Sequence, residues 1–327
     1  LFVGIWIARH LGPSQFGALN YIISFVALFS AFSSLGLDVI LVRELVKDKD
    51  RVNIFLGTAF ILKLSGAVLT IFLIFLSSYF TSNDDSTNIM ILIVASTMVF
   101  SSFNVIDLYF QAKVKSKYSV FANIALHSVS SIIKIWLIVI NASLDAFVLV
   151  ILFDSVFLAA GYAYFYFHNN LSIKEWKFES KVAIELFKDS WPLLFSGVAI
   201  AVYMRVDQVM IKEMLDLNAV GQYAAAVRIS EAWYFIPMLV GASLSPAIFN
   251  AKRTNEKLYY SRLQSFYTAI VWSAILIAIP IAIFSEEIID LLYGVDFSGA
   301  AQVLVIHVWA GIFLALGVAC GKWYIAE

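Results

Sequence analysis

Ionisable side chains inside long apolar stretches are the residues of this sequence with the clearest chemical potential. Arg205 and Asp207 stand in one stretch, and Arg228 and Glu231 stand in the next. Ionised groups cost several kcal/mol in hydrocarbon unless they are paired or face water. Both arginines lie about seven residues, or about 10 Å, from the nearer polar end. The four residues form either a hydrated cationic patch balanced by two carboxylates, or two ion pairs, Arg205 with Glu231 and Arg228 with Asp207, that only join helices.

Earlier apolar stretches carry further charges. Lys63 and Lys134 could supply the same cationic cavity, or could extend their ammonium groups to an interface. Asp154 lies near the middle of its stretch, too deep for a short side chain to reach water, so we expect it to pair with Lys134 or Lys63 or to titrate. Asp38, just after Gly36, is a candidate for the lining of an inner mouth. The candidates for charge balance or ion coupling are therefore Asp38, Asp154, Asp207 and Glu231.

The stretches that carry these charges have the length of membrane spans. A hydrocarbon layer of about 30 Å requires roughly twenty apolar residues per helix. Nine stretches meet that length, near 18–42, 54–80, 88–112, 118–140, 144–167, 191–211, 221–250, 263–284 and 301–321. The composition agrees, at 61% hydrophobic and 14% charged residues with a mean hydropathy of +0.87. The sequence therefore predicts an all-α polytopic membrane protein.

Cations crowd every second connection between the stretches. Lys and Arg cluster at 43–51, 113–117, 174–188 and 252–262, whereas the intervening connections at 84–85, 145 and 286–296 are acidic. Because cations resist translocation, we expect the Lys-rich connections to be cytoplasmic and to face anionic membrane lipids. The protein should therefore be a multi-pass protein of a cytoplasmic membrane.

Several function classes lack support in the sequence. A net charge of −1 argues against a nucleic-acid surface. There is no Walker lysine motif, no His-Glu-x-x-His, no Cys and His cluster with metal spacing and no Gly-x-Ser-x-Gly. An intramembrane glycosyltransferase or polymerase would need a large outer loop, and no predicted outer loop exceeds about twenty residues. We therefore expect a transporter without catalytic residues, bound metal or cofactor.

Weak internal similarity divides the chain. A shift of about 204 residues superposes LGPSQFG at 11–17 on LDLNAVG at 215–221 and aligns two cytoplasmic Lys/Arg clusters, as parallel repeats would. We predict an N-terminal bundle at 1–167, a cytoplasmic interfacial linker at 168–190 and a C-terminal bundle at 191–327. A new helix should begin at Asp189 or Ser190, with Pro192 in its first turn. The apolar stretch at 1–8 is too short to cross a bilayer, and the sequence ends soon after the stretch at 301–321. We therefore expect the sequence to be a fragment.

Ordered motifs along nearly the whole chain resemble a known family. They are ARHLGPSQFG at 8–17, SLGLDVILVREL at 34–45, DSWP at 189–192, YMRVDQ at 203–208, VGQY at 220–223, AVR at 226–228 and LYGVDF at 292–297. Together they resemble the polysaccharide transport family of Wzx-type O-antigen flippases, within the multidrug/oligosaccharidyl-lipid/polysaccharide exporter superfamily. The resemblance implies two pseudo-symmetric six-helix bundles in a V around a central cavity, of which about ten helices would be present.

The resemblance also implies a function. The family flips undecaprenyl-pyrophosphate-linked oligosaccharide, an O-antigen or other surface polysaccharide unit, from the cytoplasmic to the outer leaflet of a bacterial inner membrane by alternating access. Arg205 and Arg228, with Lys63 and Lys134, would then compensate the pyrophosphate charge. Coupling to an H+ or Na+ gradient is an open expectation, and a polysaccharide polymerase and a chain-length regulator are candidate partners besides the lipid-linked oligosaccharide.

A second function fits the same fold. An exporter of small amphiphilic cations would use Asp154, Asp207 and Glu231 as substrate contacts, and the arginines would be their resting partners. The net charge of the cavity separates the two hypotheses. A cationic cavity favours a lipid-linked glycan, and an anionic cavity favours drug or ion antiport.

Overall fold

The computed structural model describes residues 2–326, except the side chains at 242, 245, 246, 249, 253, 254 and 321–326. Over this range the secondary structure is helical and includes no strand. The α-helices are α1 (Phe2–Leu28), α2 (Ser30–Ser34), α3 (Leu37–Lys47), α4 (Val52–Ser78), α5 (Asp85–Ser101), α6 (Val105–Ala112), α7 (Lys117–Val139), α8 (Leu144–His168), α9 (Ser180–Met214), α10 (Leu217–Glu231), α11 (Phe235–Thr254), α12 (Glu256–Ile283), α13 (Ser285–Leu292), α14 (Gly299–His307) and α15 (Ala310–Ala326).

Among the described residues, seven helices are long and apolar enough to cross a membrane. The bent pair Phe2–Leu28 and Ser30–Lys47, with an angle of 46°, raises this to eight if it counts as one span. Large apolar side chains on the spans point outward, among them Phe72, Trp136 and Leu276. A surface of this kind is stable in lipid rather than in water. The prediction of an all-α polytopic membrane protein is therefore confirmed.

Helix α9 corrects the predicted helix start at Asp189 or Ser190. The helix begins at Ser180, runs for 35 residues and contains Pro192 in its interior. The reason is a continuous buried stripe, Val182, Leu186, Ser190 and Leu194, whose spacing of four residues follows one helix face through the proline. The charged residues at 181–189 therefore interrupt the hydropathy but not the backbone helix, whereas the connection at 169–179 separates α8 from α9.

Gly36 permits the close contact between α3 and α9. It adopts a left-handed conformation with φ 66°, and a Cβ at this position would lie 2.7 Å from the Ser190 carbonyl oxygen and 2.7 Å from the Leu194 nitrogen. Any larger residue would meet both the backbone strain and the neighbouring helix. Helices α2 and α3 thereby both pack against α9.

The apolar stretch at 221–250 forms two helices rather than one. Helix α10 ends at Glu231 and α11 begins at Phe235, with a turn between them. Pro237 lacks the N–H that would donate to the carbonyl of Trp233, so the helix cannot continue regularly through this point. Glu231 therefore stands at a helix end.

The chain folds into two compact units. One unit is Ala18–Leu217, and the other joins Leu1–Gly17 to Asn218–Glu327; they are called the 18–217 unit and the 218–327 unit below. The core of the first includes Leu41, Phe110 and Tyr166, and the core of the second includes Tyr259 and Phe266. The bounds of these units differ from the predicted bundles at 1–167 and 191–327, which stay a prediction.

Candidate functional site

Arg228 on α10 lies against an aromatic ring within the 218–327 unit. Its guanidinium carbon is 5.4 Å from the centroid of the Phe16 ring, and Phe16 packs edge-on against Phe297 with 6.0 Å between ring centroids. Arg228 is half-buried, and none of the ion pairs among the described residues includes it. A cation over a ring face is stabilised without losing its charge. The guanidinium therefore lies against a ring, and no ion pair of the described residues neutralises it.

Two further residues shape the surroundings of this guanidinium. A Cβ on Gly4 would lie 2.5 Å from Arg228 Nη1, so the guanidinium occupies space that a glycine leaves open. The hydroxyl of Tyr293 is buried and has no hydrogen-bond partner among the described residues. Burial raises the pKa of Tyr293, and the charge of Arg228 opposes that rise. The phenol thus stays protonated near Arg228 and can donate a hydrogen bond.

Polar contacts position α10 within the same unit. Gln222 donates to the Asp296 carbonyl at 2.8 Å and accepts from the Ala300 N–H at 2.9 Å. At the other end of the helix, Ser230 Oγ lies 2.9 Å from His307 Nδ1. Hydrogen bonds at both ends fix the helix on which Arg228 stands.

Arg205 and Asp207 lie on α9 in the 18–217 unit. Both are half-buried, and Asp207 Oδ1 accepts from the Gln208 N–H at 2.7 Å. The neighbouring Gln208 is buried and accepts a hydrogen bond of 3.0 Å from Ser24. Pairing of Arg205 with Glu231, or of Arg228 with Asp207, would join residues of different units and stays a prediction.

Lys63 on α4 forms an ion pair with Asp38 on α3. Only 4% of the lysine side chain is exposed, whereas 46% of the aspartate side chain is exposed. The pair lines a cavity of about 350 Å³ together with hydroxyl groups of Ser33 and Ser101 and the amide of Asn104. The ammonium is thus buried and neutralised, and the carboxylate faces the cavity side.

Lys134 on α7 and Asp154 on α8 form a second ion pair in the same unit. Lys134 Nζ lies 2.9 Å from Asp154 Oδ2, which also accepts a hydrogen bond of 2.9 Å from Ser130. The other carboxylate oxygen, Oδ1, is buried without a hydrogen-bond partner among the described residues. Asp154 therefore pairs with Lys134, one of its two candidate partners, while the roles of both in transport stay a prediction.

Sequence reasoning missed the uncharged residues around these groups. Gly4, Phe16 and Tyr293 surround Arg228, and Ser33 and Asn104 line the cavity at Lys63. Phe16 lies within the quoted LGPSQFG motif, but its ring contact with a residue more than two hundred positions away leaves no local signal. The serines of α2 stand at 30, 33 and 34, so several of their hydroxyls share one helix face, a pattern that could have suggested a polar cavity.

Comparison with known proteins identifies the family. Residues 2–252 match the family described as "Polysaccharide biosynthesis protein". A similar protein is the probable low-salt glycan biosynthesis flippase Agl15 of Haloferax volcanii, 25% identical over 146 residues, which are 43% of this chain and 30% of that protein. The chain thus spans about a third of the length of this relative.

A solved structure shows the same fold. It is the inward-facing conformation of a multidrug resistance MATE family transporter of the MOP superfamily, with a TM-score of 0.74 and 12% identity, covering 99% of this chain and 82% of that one. The predicted resemblance and fold class are both confirmed by these findings. Since the family match spans more than three quarters of the sequence, this chain belongs to the polysaccharide biosynthesis protein family.

Proposed function

We propose that this protein is a flippase rather than an enzyme and moves a lipid-linked oligosaccharide across a membrane by alternating access. Its substrate is an undecaprenyl-pyrophosphate-linked O-antigen or other surface polysaccharide unit, carried from the cytoplasmic to the outer leaflet of a bacterial inner membrane. The family assignment and the multi-pass helical fold support this proposal. The named relative is itself described as a probable glycan biosynthesis flippase.

The observation that carries the proposal is the charge of Arg228, with which no described carboxylate pairs. Pyrophosphate cannot cross hydrocarbon without compensation of its charge. A guanidinium offers several N–H donors in a planar fork that fits phosphate oxygens. Because Phe16 holds the guanidinium through its ring, Arg228 can attract an anion without first breaking a described ion pair. Arg205 is its proposed counterpart on α9.

A flippase also needs a source of energy and partners. We propose coupling to an H+ or Na+ gradient through the Lys134–Asp154 pair, because Asp154 keeps one buried oxygen without a described partner. The lipid tail would remain in the bilayer while the head group crosses. A polysaccharide polymerase and a chain-length regulator are proposed partners that take up the translocated unit.

The test is transport of a fluorescent polyprenyl-pyrophosphate oligosaccharide by the purified full-length protein in proteoliposomes. Arg228→Ala, Arg228→Lys and Arg205→Ala are compared with Arg262→Ala. Arg262 is an exposed arginine of α12 that donates to the Ala247 carbonyl, so it controls for the loss of a guanidinium elsewhere. We expect transport by the wild type and by Arg262→Ala, a partial loss in Arg228→Lys and a severe loss in both alanine variants at Arg228 and Arg205.

Two results would contradict the proposal. Normal transport by folded Arg228→Ala would remove the arginine from the substrate site. A folded wild-type protein without transport of this lipid, but with gradient-driven export of a small amphiphilic cation, would instead support the second function. In that case Asp154→Asn, Asp207→Asn and Glu231→Gln become the informative variants.

A further inference from the structure

The cavity beside Lys63 offers mainly hydrogen-bond acceptors. Three serine hydroxyls of its wall each donate to the backbone carbonyl three residues earlier: Ser30 to Ala27 at 2.8 Å, Ser34 to Ala31 at 3.1 Å and Ser101 to Met98 at 2.6 Å. Their hydrogens are therefore used locally. Ser34 Oγ also accepts from the Gly36 N–H at 3.5 Å, and Ser101 Oγ lies 3.5 Å from Ser33 Oγ, so each of the three oxygens keeps at least one lone pair for a ligand. Groups that fit such a wall are hydrogen-bond donors, such as the hydroxyls of a ligand.

The charges of the cavity cancel. Lys63 contributes one ammonium group and Asp38 one carboxylate, and the two are paired. An anionic diphosphate gains little from a site with no net charge and meets repulsion from the half-exposed Asp38. A neutral polyol can instead accept from the ammonium and donate to the carboxylate at the same time. Asn104 adds an amide that can both donate and accept.

Two further cavities lie beside residues of the span Asp85–Ala112. A neighbouring cavity of about 420 Å³ shares Ser101 and Asn104 with the first and is also lined by Ser155 and Tyr162. Asp107 also lines a third cavity of about 500 Å³, whose lining includes Asn123. Carboxylate, amide and hydroxyl groups therefore line all three neighbouring cavities.

We propose that the cavity at Lys63 and Asp38 is a glycan subsite, which binds a neutral sugar ring of the lipid-linked substrate through its free hydroxyl groups. This inference rests on the proposed function and deepens it. In the proposed function Arg205 and Arg228 bind the pyrophosphate, and the cavity at Lys63 and Asp38 binds a sugar ring. The neighbouring cavity that shares Ser101 and Asn104 is the proposed place for the next ring of the oligosaccharide.

The test measures affinity in nanodiscs with three probes: polyprenyl pyrophosphate bearing a disaccharide, the same lipid with every sugar hydroxyl methylated, and polyprenyl pyrophosphate without sugar. The full-length wild type is compared with Ser33→Ala/Ser101→Ala, with Lys63→Met/Asp38→Asn and with Ser65→Ala. The first double variant removes two cavity hydroxyls with little risk to folding. The second removes both charges together, so neither remains buried alone.

Ser65→Ala is the matched control. Ser65 lies on α4 two residues from Lys63, is exposed and bonds only to carbonyls of its own helix, Ile61 and Leu62. We expect the wild type and this control to bind the lipid-linked disaccharide with unmethylated hydroxyls at least tenfold more tightly than the methylated form. Both cavity variants should lose about tenfold in affinity for the disaccharide probe and keep their affinity for the sugar-free lipid.

The contrary results separate the subsite from the function. If the wild type binds the unmethylated and the methylated lipid-linked disaccharide equally well and still transports its substrate, the glycan subsite is wrong and the flippase function stands. An equal loss for the sugar-free lipid in the cavity variants also overturns the subsite, because the cavity would then bind the lipid pyrophosphate. If the cavity variants keep their affinity for all three probes but their transport depends differently on the ion gradient, the cavity is an ion path and not a glycan subsite. A folded wild type that neither binds nor flips any of the probes overturns both proposals.

Discussion

Lys63 and Lys134 of the 18–217 unit and Arg228 of the 218–327 unit lie in opposite chemical settings. Lys63 and Lys134 each have a carboxylate partner, whereas Arg228 lies on an aromatic ring without a described one. A buried ammonium is a compact, strongly hydrated charge that requires an anion, and a guanidinium is weakly hydrated and stacks on rings. Side chains of equal formal charge can therefore differ in what they offer to a substrate. Paired lysines offer hydrogen bonds, and the stacked arginine offers net charge.

The largest expected effect comes from breaking the pair at Lys63. Asp38→Asn leaves an ammonium of which 4% is exposed without its carboxylate. We expect the free energy of unfolding to fall by about 3 kcal/mol, the lower end of the range for a broken buried pair, because Asp38 itself is half-exposed. Equilibrium unfolding in mixed micelles measures this change. Lys63→Met/Asp38→Asn should return to within about 1 kcal/mol of the wild type, and an equally unstable double variant would contradict the pairing argument.

Replacing Arg228 should affect transport more than stability. Arg228→Ala loses only a cation–π contact, about 0.5–1 kcal/mol of stability, whereas the lost bonds to a charged phosphate reduce the rate about 30-fold. Flipping rates in proteoliposomes and unfolding in micelles are measured on the same preparations. If Arg228→Ala loses as much stability as Asp38→Asn and still transports normally, the proposed contrast between Arg228 and the paired lysines is wrong.

A smaller effect is expected from filling the space beside the guanidinium. In Gly4→Ala the new Cβ would lie 2.5 Å from Arg228 Nη1, and the flexible arginine must move away from it. We expect flipping to slow about fivefold through this displacement, with a change in stability below about 0.5 kcal/mol. Gly317→Ala is the control, because a Cβ there meets no heavy atom within 4 Å. Equal rates for the two variants would show that the position of the guanidinium does not matter.

The smallest expected effect concerns the hydroxyl of Tyr293. Tyr293→Phe removes a buried hydroxyl without a described partner, so stability should be unchanged or rise by up to about 1 kcal/mol. If the protonated phenol donates to the substrate, flipping slows about threefold despite that gain. Unfolding and transport of the single variant give both quantities. A loss of stability would indicate that the hydroxyl is bonded in the native protein.

The spans were predictable because their length is a local property. Any helix that crosses a bilayer needs about twenty apolar residues, and the stretch at 54–80 accordingly matches Val52–Ser78 closely. The start of α9 was not predictable in this way. Lys188 and Asp189 look like a connection in a hydropathy profile, and only the burial of Leu186 and Ser190 on one stripe shows that the helix continues. The break after Glu231 was hidden likewise, because the hydropathy stays high through it.

The charged residues of the site were predictable from their cost in hydrocarbon, but their partners depend on tertiary packing. Asp154 could be assigned to Lys134 or Lys63 because all three lie in apolar stretches, yet the choice required the contact of α7 with α8. Phe16 and Gly4 carry no charge, so nothing in their own stretch marks them. Their contacts with Arg228 arise only because α1 and α10 fold together.

The length of α9 has a mechanical consequence. With 35 residues the helix is about 52 Å long, longer than the hydrocarbon layer is thick. It bears Asp189, which pairs with Arg43, near one end and Arg205 about 24 Å further along. If the helix tilts as one body by about five degrees around Asp189, Arg205 moves by about 2 Å. A small rearrangement at the Arg43–Asp189 pair can thereby change the position of the Arg205 guanidinium.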